Sequence, residues 1–102
     1  VARPVTMVTF VLPRTLRHLA GHRDEVRVFA VAAADEHAPT LEAALDTLRR
    51  THPSLEERVR GADGRIRPWM GVYVCGENAR RLGGLSCALP PGAEIHVAPA
   101  LE

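Results

Sequence analysis

The strongest constraint on the fold is a single apolar stripe in the middle of the chain. Leu41, Ala44, Leu45 and Leu48 recur at helical spacing between Thr40 and Arg50. Thr40 is a good N-cap, and Glu42 sits in the positive first turn. Arg49 and Arg50 close the helix at its negative end. Pro53 stops it, and Ser54-Leu55-Glu56-Glu57 has the pattern of a capping box, which predicts a short second helix from Ser54 to about Gly61. On both sides of this helical region the chain alternates instead. In Thr6–Leu12, Val8, Phe10 and Leu12 point one way, Thr9 and Val11 the other, and Pro13 ends the strand. Leu16, Leu19 and Ala20 predict a short helical piece closed by Gly21. Val26, Val28 and Ala30 alternate with Arg27 and Phe29, giving a hairpin partner for the first strand. Ala32–Pro39 reads as a loop, with Ala30–Ala38 long for a hairpin-to-helix connection.

After the helices, Asp63-Gly64 marks a turn. Met70, Val72 and Val74 then alternate with Gly71, Tyr73 and Cys75 in a third strand. Gly76-Glu77-Asn78 turns the chain, and Ala79–Arg81 is expected as a short edge strand. Pro91-Gly92 fits the centre of a type II turn. Ile95, Val97 and Pro99 alternate with His96 and Ala98 in a last strand. The order β-β-α-β-β-β describes an α+β β-grasp: a mixed sheet of four to five strands packed on one main helix, its other face open. The 102 residues make one domain, with 1–5 as a dispensable lead-in and 99–102 as a C-terminal tail.

Composition narrows the function classes. All 13 basic residues are arginine, so no lysine Schiff base can form. A net charge of +1 gives no general case for nucleic-acid binding. No run approaches the ~20 apolar residues of a membrane span, and the start lacks a signal-peptide core. A cytoplasmic location, with Cys75 and Cys87 reduced and buried, is the expectation. His18 and His22 read as solvated histidines rather than metal ligands. No phosphate loop, nucleophile elbow or zinc spacing is visible, so the chain reads as a substrate of enzymes rather than an enzyme.

Several residues stand out as partner contacts. Tyr73, His96 and Ala98 should share the open sheet face and form part of a docking patch. Arg80 and Arg81, with Arg58, Arg60, Arg65 and Arg67, should gather on one side, either as a solvated face or as a surface for an acidic partner near the tail. Trp69, beside Pro68, is expected to plug the core.

The ordered set of segments resembles a known family. The segments are Val72-Tyr73-Val74-Cys75-Gly76-Glu77-Asn78-Ala79-Arg80, Leu82-Gly83-Gly84-Leu85 and Leu89 through Ala100. With Thr9–Pro13, Leu16-Arg17 and His52-Pro53, they resemble the MoaD/ThiS ubiquitin-like sulfur carriers, closest to the actinobacterial type used in cysteine or secondary-metabolite biosynthesis. The resemblance implies that an E1-like adenylyltransferase and sulfurtransferase activates the C-terminal carboxylate with MgATP. Sulfur then replaces an oxygen, and the thiocarboxylate donates it to a biosynthetic enzyme. The carrier itself binds no cofactor, no nucleic acid and no membrane. The family's tail ends in Gly-Gly. Here Pro99 and Ala100 match the usual end, and Leu101 and Glu102 fall where linker residues precede the glycines. Three readings stay open: the sequence stops short of the diglycine, Leu101-Glu102 is a cloning scar, or the chain is a relative without sulfur chemistry. Molybdopterin synthase small subunit, β-grasp interaction module and protein conjugation are the alternatives to sulfur delivery.

Overall fold

The structure, a computed structural model, describes residues 3–99. Seven regular elements follow in chain order: β1 (Val5–Val11), β2 (Glu25–Val31), α1 (Leu41–Thr51), α2 (Pro53–Val59), β3 (Met70–Val74), β4 (Glu77–Asn78) and β5 (Glu94–Pro99). Short 3₁₀ helices cover Arg14–Ala20, Ala79–Leu82 and Gly84–Ser86. The five strands form one mixed sheet in the order β2-β1-β5-β3-β4. β1 and β2 are antiparallel, β5 runs parallel to β1, and β3 is antiparallel to β5. The expected β-grasp is the architecture observed.

Alternation decides which face of the sheet is buried. Val8, Phe10, Val26, Val28, Met70, Val72, Val74, Ile95 and Val97 all turn inward and meet the α1 stripe of Leu41, Ala44, Leu45 and Leu48. Burying one such side chain stabilises the fold by about 1.5–3 kcal/mol, so this one layer of contacts outweighs any surface interaction in the molecule. Thr40 caps α1 as expected, its hydroxyl accepting from the Ala43 N–H at 3.3 Å. The Pro91-Gly92 turn is closed by the Ala93 N–H donating to the Pro90 carbonyl at 3.1 Å, with Gly92 at φ +73° where a side chain would be strained.

Three boundaries differ from the sequence reading. Val5 is not lead-in: it pairs with Val31, and the Pro4 carbonyl accepts from the Ala32 N–H. The expected capping box does not form, because Pro53 occupies the first turn of α2 and draws its start back to a His52 N-cap. Proline has no N–H to lose there. Ala79–Arg81 is helical rather than a strand. Asn78 Oδ1 accepts from the Arg80 N–H, and the fully buried Ala79 anchors the turn, so the edge strand shrinks to Glu77–Asn78.

Candidate docking face and tail strand

Among the described residues nothing covers the face of the sheet away from α1. Tyr73 and His96 are directly paired across β3 and β5, and Gly71 pairs with Ala98 one step nearer Pro99. Tyr73, His96 and Ala98 are all exposed, so the structure brings these three sequence candidates together on one surface. His96 Nε2 lies 3.4 Å from the Glu94 carboxylate, an exposed contact that contributes little.

Gly71 was not a sequence candidate, yet it shapes this surface. A Cβ at Gly71 would lie 3.1 Å from Tyr73 Cε1 and 3.2 Å from the Ala98 carbonyl oxygen. The Tyr73 ring therefore lies along the strand over Gly71, reaching toward the Met70–Pro99 end of the sheet. Trp69 stands just before β3 at that same end and is 43% exposed rather than plugging the core. Met70 takes the inward position instead, and the Arg67 guanidinium sits 5.8 Å from the Trp69 ring centroid. The tail end of the sheet thus carries Trp69, Tyr73 and Ala98 as exposed apolar surface.

The basic residues do not form one solvated face. Arg60 is buried, bonded to the Glu56 carboxylate and to Asp46 at 2.8 Å. Burial alone would depress its pKa, but the hydrogen bonds it donates to Asp46 and Glu56, and the attraction of their charges, outweigh that and raise it. Arg80 is exposed, but its guanidinium donates to the Met70 and Arg67 carbonyls at 3.3 and 3.1 Å, which ties the entry of β3 in place. Arg67 donates to the Glu57 carbonyl at 2.7 Å. Arg81 is exposed, with no hydrogen bond of its side chain among the described residues.

Of the tail, Pro99 ends β5 beside Met70; Ala100, Leu101 and Glu102 lie outside the described residues. Cys75 is exposed at φ +50°, correcting the expectation that it is buried: β3 ends at Val74, and Cys75 enters the turn. Cys87 is buried, and burial first, then the neighbouring Cys75, pushes its thiol pKa up. Among the described residues no three His, Cys, Asp or Glu side chains converge as a metal site. No helix among them is long and apolar enough to cross a membrane.

A second exposed apolar group was not anticipated. Val5 pairs with Val31 and Met7 with Phe29 at the far end of the hairpin, all four exposed, Phe29 most of all at 59%. The signal was present: Val5, Met7, Phe29 and Val31 are in phase with Thr9, Val11 and Arg27, the outward positions.

A mixed sheet in the order β2-β1-β5-β3-β4, with β1 and β5 parallel at its centre and α1 across its inner face, defines the ubiquitin-like class. No protein-family model and no curated protein sequence matches the chain. Solved structures do. Small archaeal modifier protein 1 from Haloferax volcanii is 33% identical, with 94% of this chain and 97% of that one covered and a TM-score of 0.71. Mycobacterium tuberculosis CysO, described as an antigen, is 27% identical over 92% of this chain and 99% of that one, with a TM-score of 0.73. The structure of the BexX/CysO complex of Amycolatopsis orientalis holds a match at 25% identity, 93% and 97% coverage and a TM-score of 0.76. The chain belongs to the MoaD/ThiS family of ubiquitin-like sulfur carriers.

Proposed function

We propose that the chain is a cytoplasmic sulfur carrier, and that it works through its C-terminal carboxylate. The observation that carries this reading is the near end-to-end likeness to a small archaeal modifier at 33% identity. An E1-like enzyme supplies MgATP. The carboxylate oxygen attacks the α-phosphorus, releasing pyrophosphate and leaving an acyl adenylate. A donor of sulfide-level sulfur then attacks the acyl carbon, the C–S bond forming as the bond to AMP breaks, and the resulting thiocarboxylate passes sulfide to a biosynthetic enzyme. The carrier contributes no catalytic group. It contributes a tail on a rigid strand and a surface by which enzymes hold that strand.

The surface we assign to this is Tyr73, His96 and Ala98, with Arg81 at its margin and Arg80 holding the β3 entry in shape. Tyr73 supplies a large anchor of few rotamers, the kind of residue that dominates docking energy. Its position near Pro99 matches the need: an enzyme that acts on the tail must grip the body close to where the tail begins. The BexX/CysO complex supports a protein partner for this fold.

The test is activation by the cognate E1-like enzyme of a version ending in Gly-Gly after Glu102. Expected are ATP-dependent release of pyrophosphate and, with a sulfur donor, a mass gain equal to sulfur replacing one oxygen. Absence of adenylation would overturn the reading. That the Haloferax protein is named a modifier favours a second reading, attachment of the tail to lysines of other proteins. Covalent conjugates trapped in the host would show it; a free thiocarboxylate without conjugates would not.

A further inference from the structure

The two edges of the sheet are finished differently. β4 is two residues long, opens with Glu77 and runs straight into a 3₁₀ helix, so little of it is left to pair. β2 is seven residues long and pairs with β1 without a bulge. It has no proline, and its last four residues, Val28–Val31, carry no charge. Natural sheets usually guard an edge with one of these devices, because an open edge is a template for another strand.

Hydrogen-bond parity shows what the β2 edge offers. The Leu12 N–H donates to the Asp24 carbonyl, and the Ala32 N–H donates to the Pro4 carbonyl. In an antiparallel ladder, bonded pairs alternate. The even residues of β2 therefore face β1, and the N–H and C=O of Glu25, Arg27, Phe29 and Val31 point away from the sheet. None of these groups has a hydrogen-bond partner among the described residues.

We propose that two copies of this chain pair antiparallel along β2, about a two-fold axis at Val28, to make one continuous sheet. The occupant is a second copy because the strand is complementary to itself. Only one antiparallel register satisfies all four outward residues on both strands: Glu25 opposite Val31, and Arg27 opposite Phe29. In it no like charges face each other, and each Arg27 guanidinium meets the Phe29 ring of the second copy. A shift of two residues in one direction sets Arg27 against Arg27. A shift in either direction strands one outward residue per copy. Phe29, the most exposed large apolar residue, is covered on its free side.

This pairing leaves the proposed carrier surface free. β3 lies three strands from β2, roughly 14 Å across the sheet. The antiparallel arrangement also sends the two Pro99 ends to opposite ends of the dimer, so each is open to its own enzyme.

The experiment is sedimentation equilibrium from micromolar to millimolar concentration, with backbone amide exchange on the same samples. The expected result is a mass that rises to the dimer. In step with it, the amides of Arg27, Phe29 and Val31 gain protection, while those of Val26, Val28 and Ala30 are protected throughout. Phe29→Lys, facing Arg27 of the second copy, should weaken association by at least about tenfold. Phe29→Glu, facing the same arginine, should retain the wild-type affinity or exceed it. The position is exposed, so both variants keep the fold. A monomer mass at every concentration would overturn the proposal, as would equal weakening by both variants, which would mean apolar association without this register.

Discussion

Gly71 shows how one residue sets a surface it does not itself present. Its missing side chain seats the Tyr73 ring, and a methyl there meets the Ala98 carbonyl of the paired strand as well. The ring can swing aside; the backbone oxygen cannot without disturbing the β3–β5 ladder. Gly71→Ala should cost about 1–2 kcal/mol in urea unfolding and lower enzyme docking through the displaced ring. A variant as stable as the parent would show that the sheet yields there without cost. Cys87 makes a pH prediction. Its thiol pKa is raised in the folded state by burial and by Cys75, so above the ordinary thiol range, about 8.5, the unfolded chain loses its proton first. The stability tied to Cys87 is complete below that range and is lost as pH rises through the folded value. Cys87→Ala should therefore flatten the alkaline fall in unfolding free energy, and parallel pH profiles for parent and variant would refute this. Residue-scale detail of this kind was the least legible in the sequence. Tyr73, His96 and Ala98 could be placed by alternation alone. The role of Gly71 and the exposure of Cys75 depend on where a neighbouring strand and a turn come to lie.

At the scale of elements, periodicity carried most of the information. The α1 stripe and the alternation of β1, β2, β3 and β5 each follow from burial on one face. The errors fell where local chemistry competes: Pro53 against the Ser54 cap, and Asn78 against a continuing strand. Arg60 was misplaced because a run of arginines looks solvated until topology brings acids to it. Asp46 of α1 and Glu56 of α2 both reach Arg60, and this ion group holds the two helices at their junction. Removing one partner of a buried pair leaves a desolvated charge behind. Arg60→Met should cost about 3–5 kcal/mol in denaturant unfolding, since it strands Glu56. Replacing both, Glu56→Leu with Arg60→Met, should recover much of that loss. A double variant as unstable as the single one would show that the pair does more than satisfy itself.

For the whole molecule, the open face holds two apolar groups with different geometry toward the tail. Trp69, Tyr73 and Ala98 lie at the Pro99 end, while Val5, Met7, Phe29 and Val31 lie at the far end of the hairpin, beyond where β5 begins. An enzyme that handles the tail gains orientation only from the first group, because a grip on the hairpin end leaves the tail end free to pivot. Under the proposed function, Tyr73→Asp places a charge where an E1-like enzyme would bury it, and should weaken that binding by about thirtyfold, about 2 kcal/mol. Phe29→Asp carries the same chemistry on the other group and should change that affinity by less than about twofold, within the usual span of a position outside the contact. Titration calorimetry on both variants, with circular dichroism to confirm the fold, separates the cases. Equal losses would extend the docking surface across the whole sheet. A loss at Phe29 alone would move docking to the hairpin end and detach it from the tail, and binding unchanged by either would take the open face out of enzyme recognition.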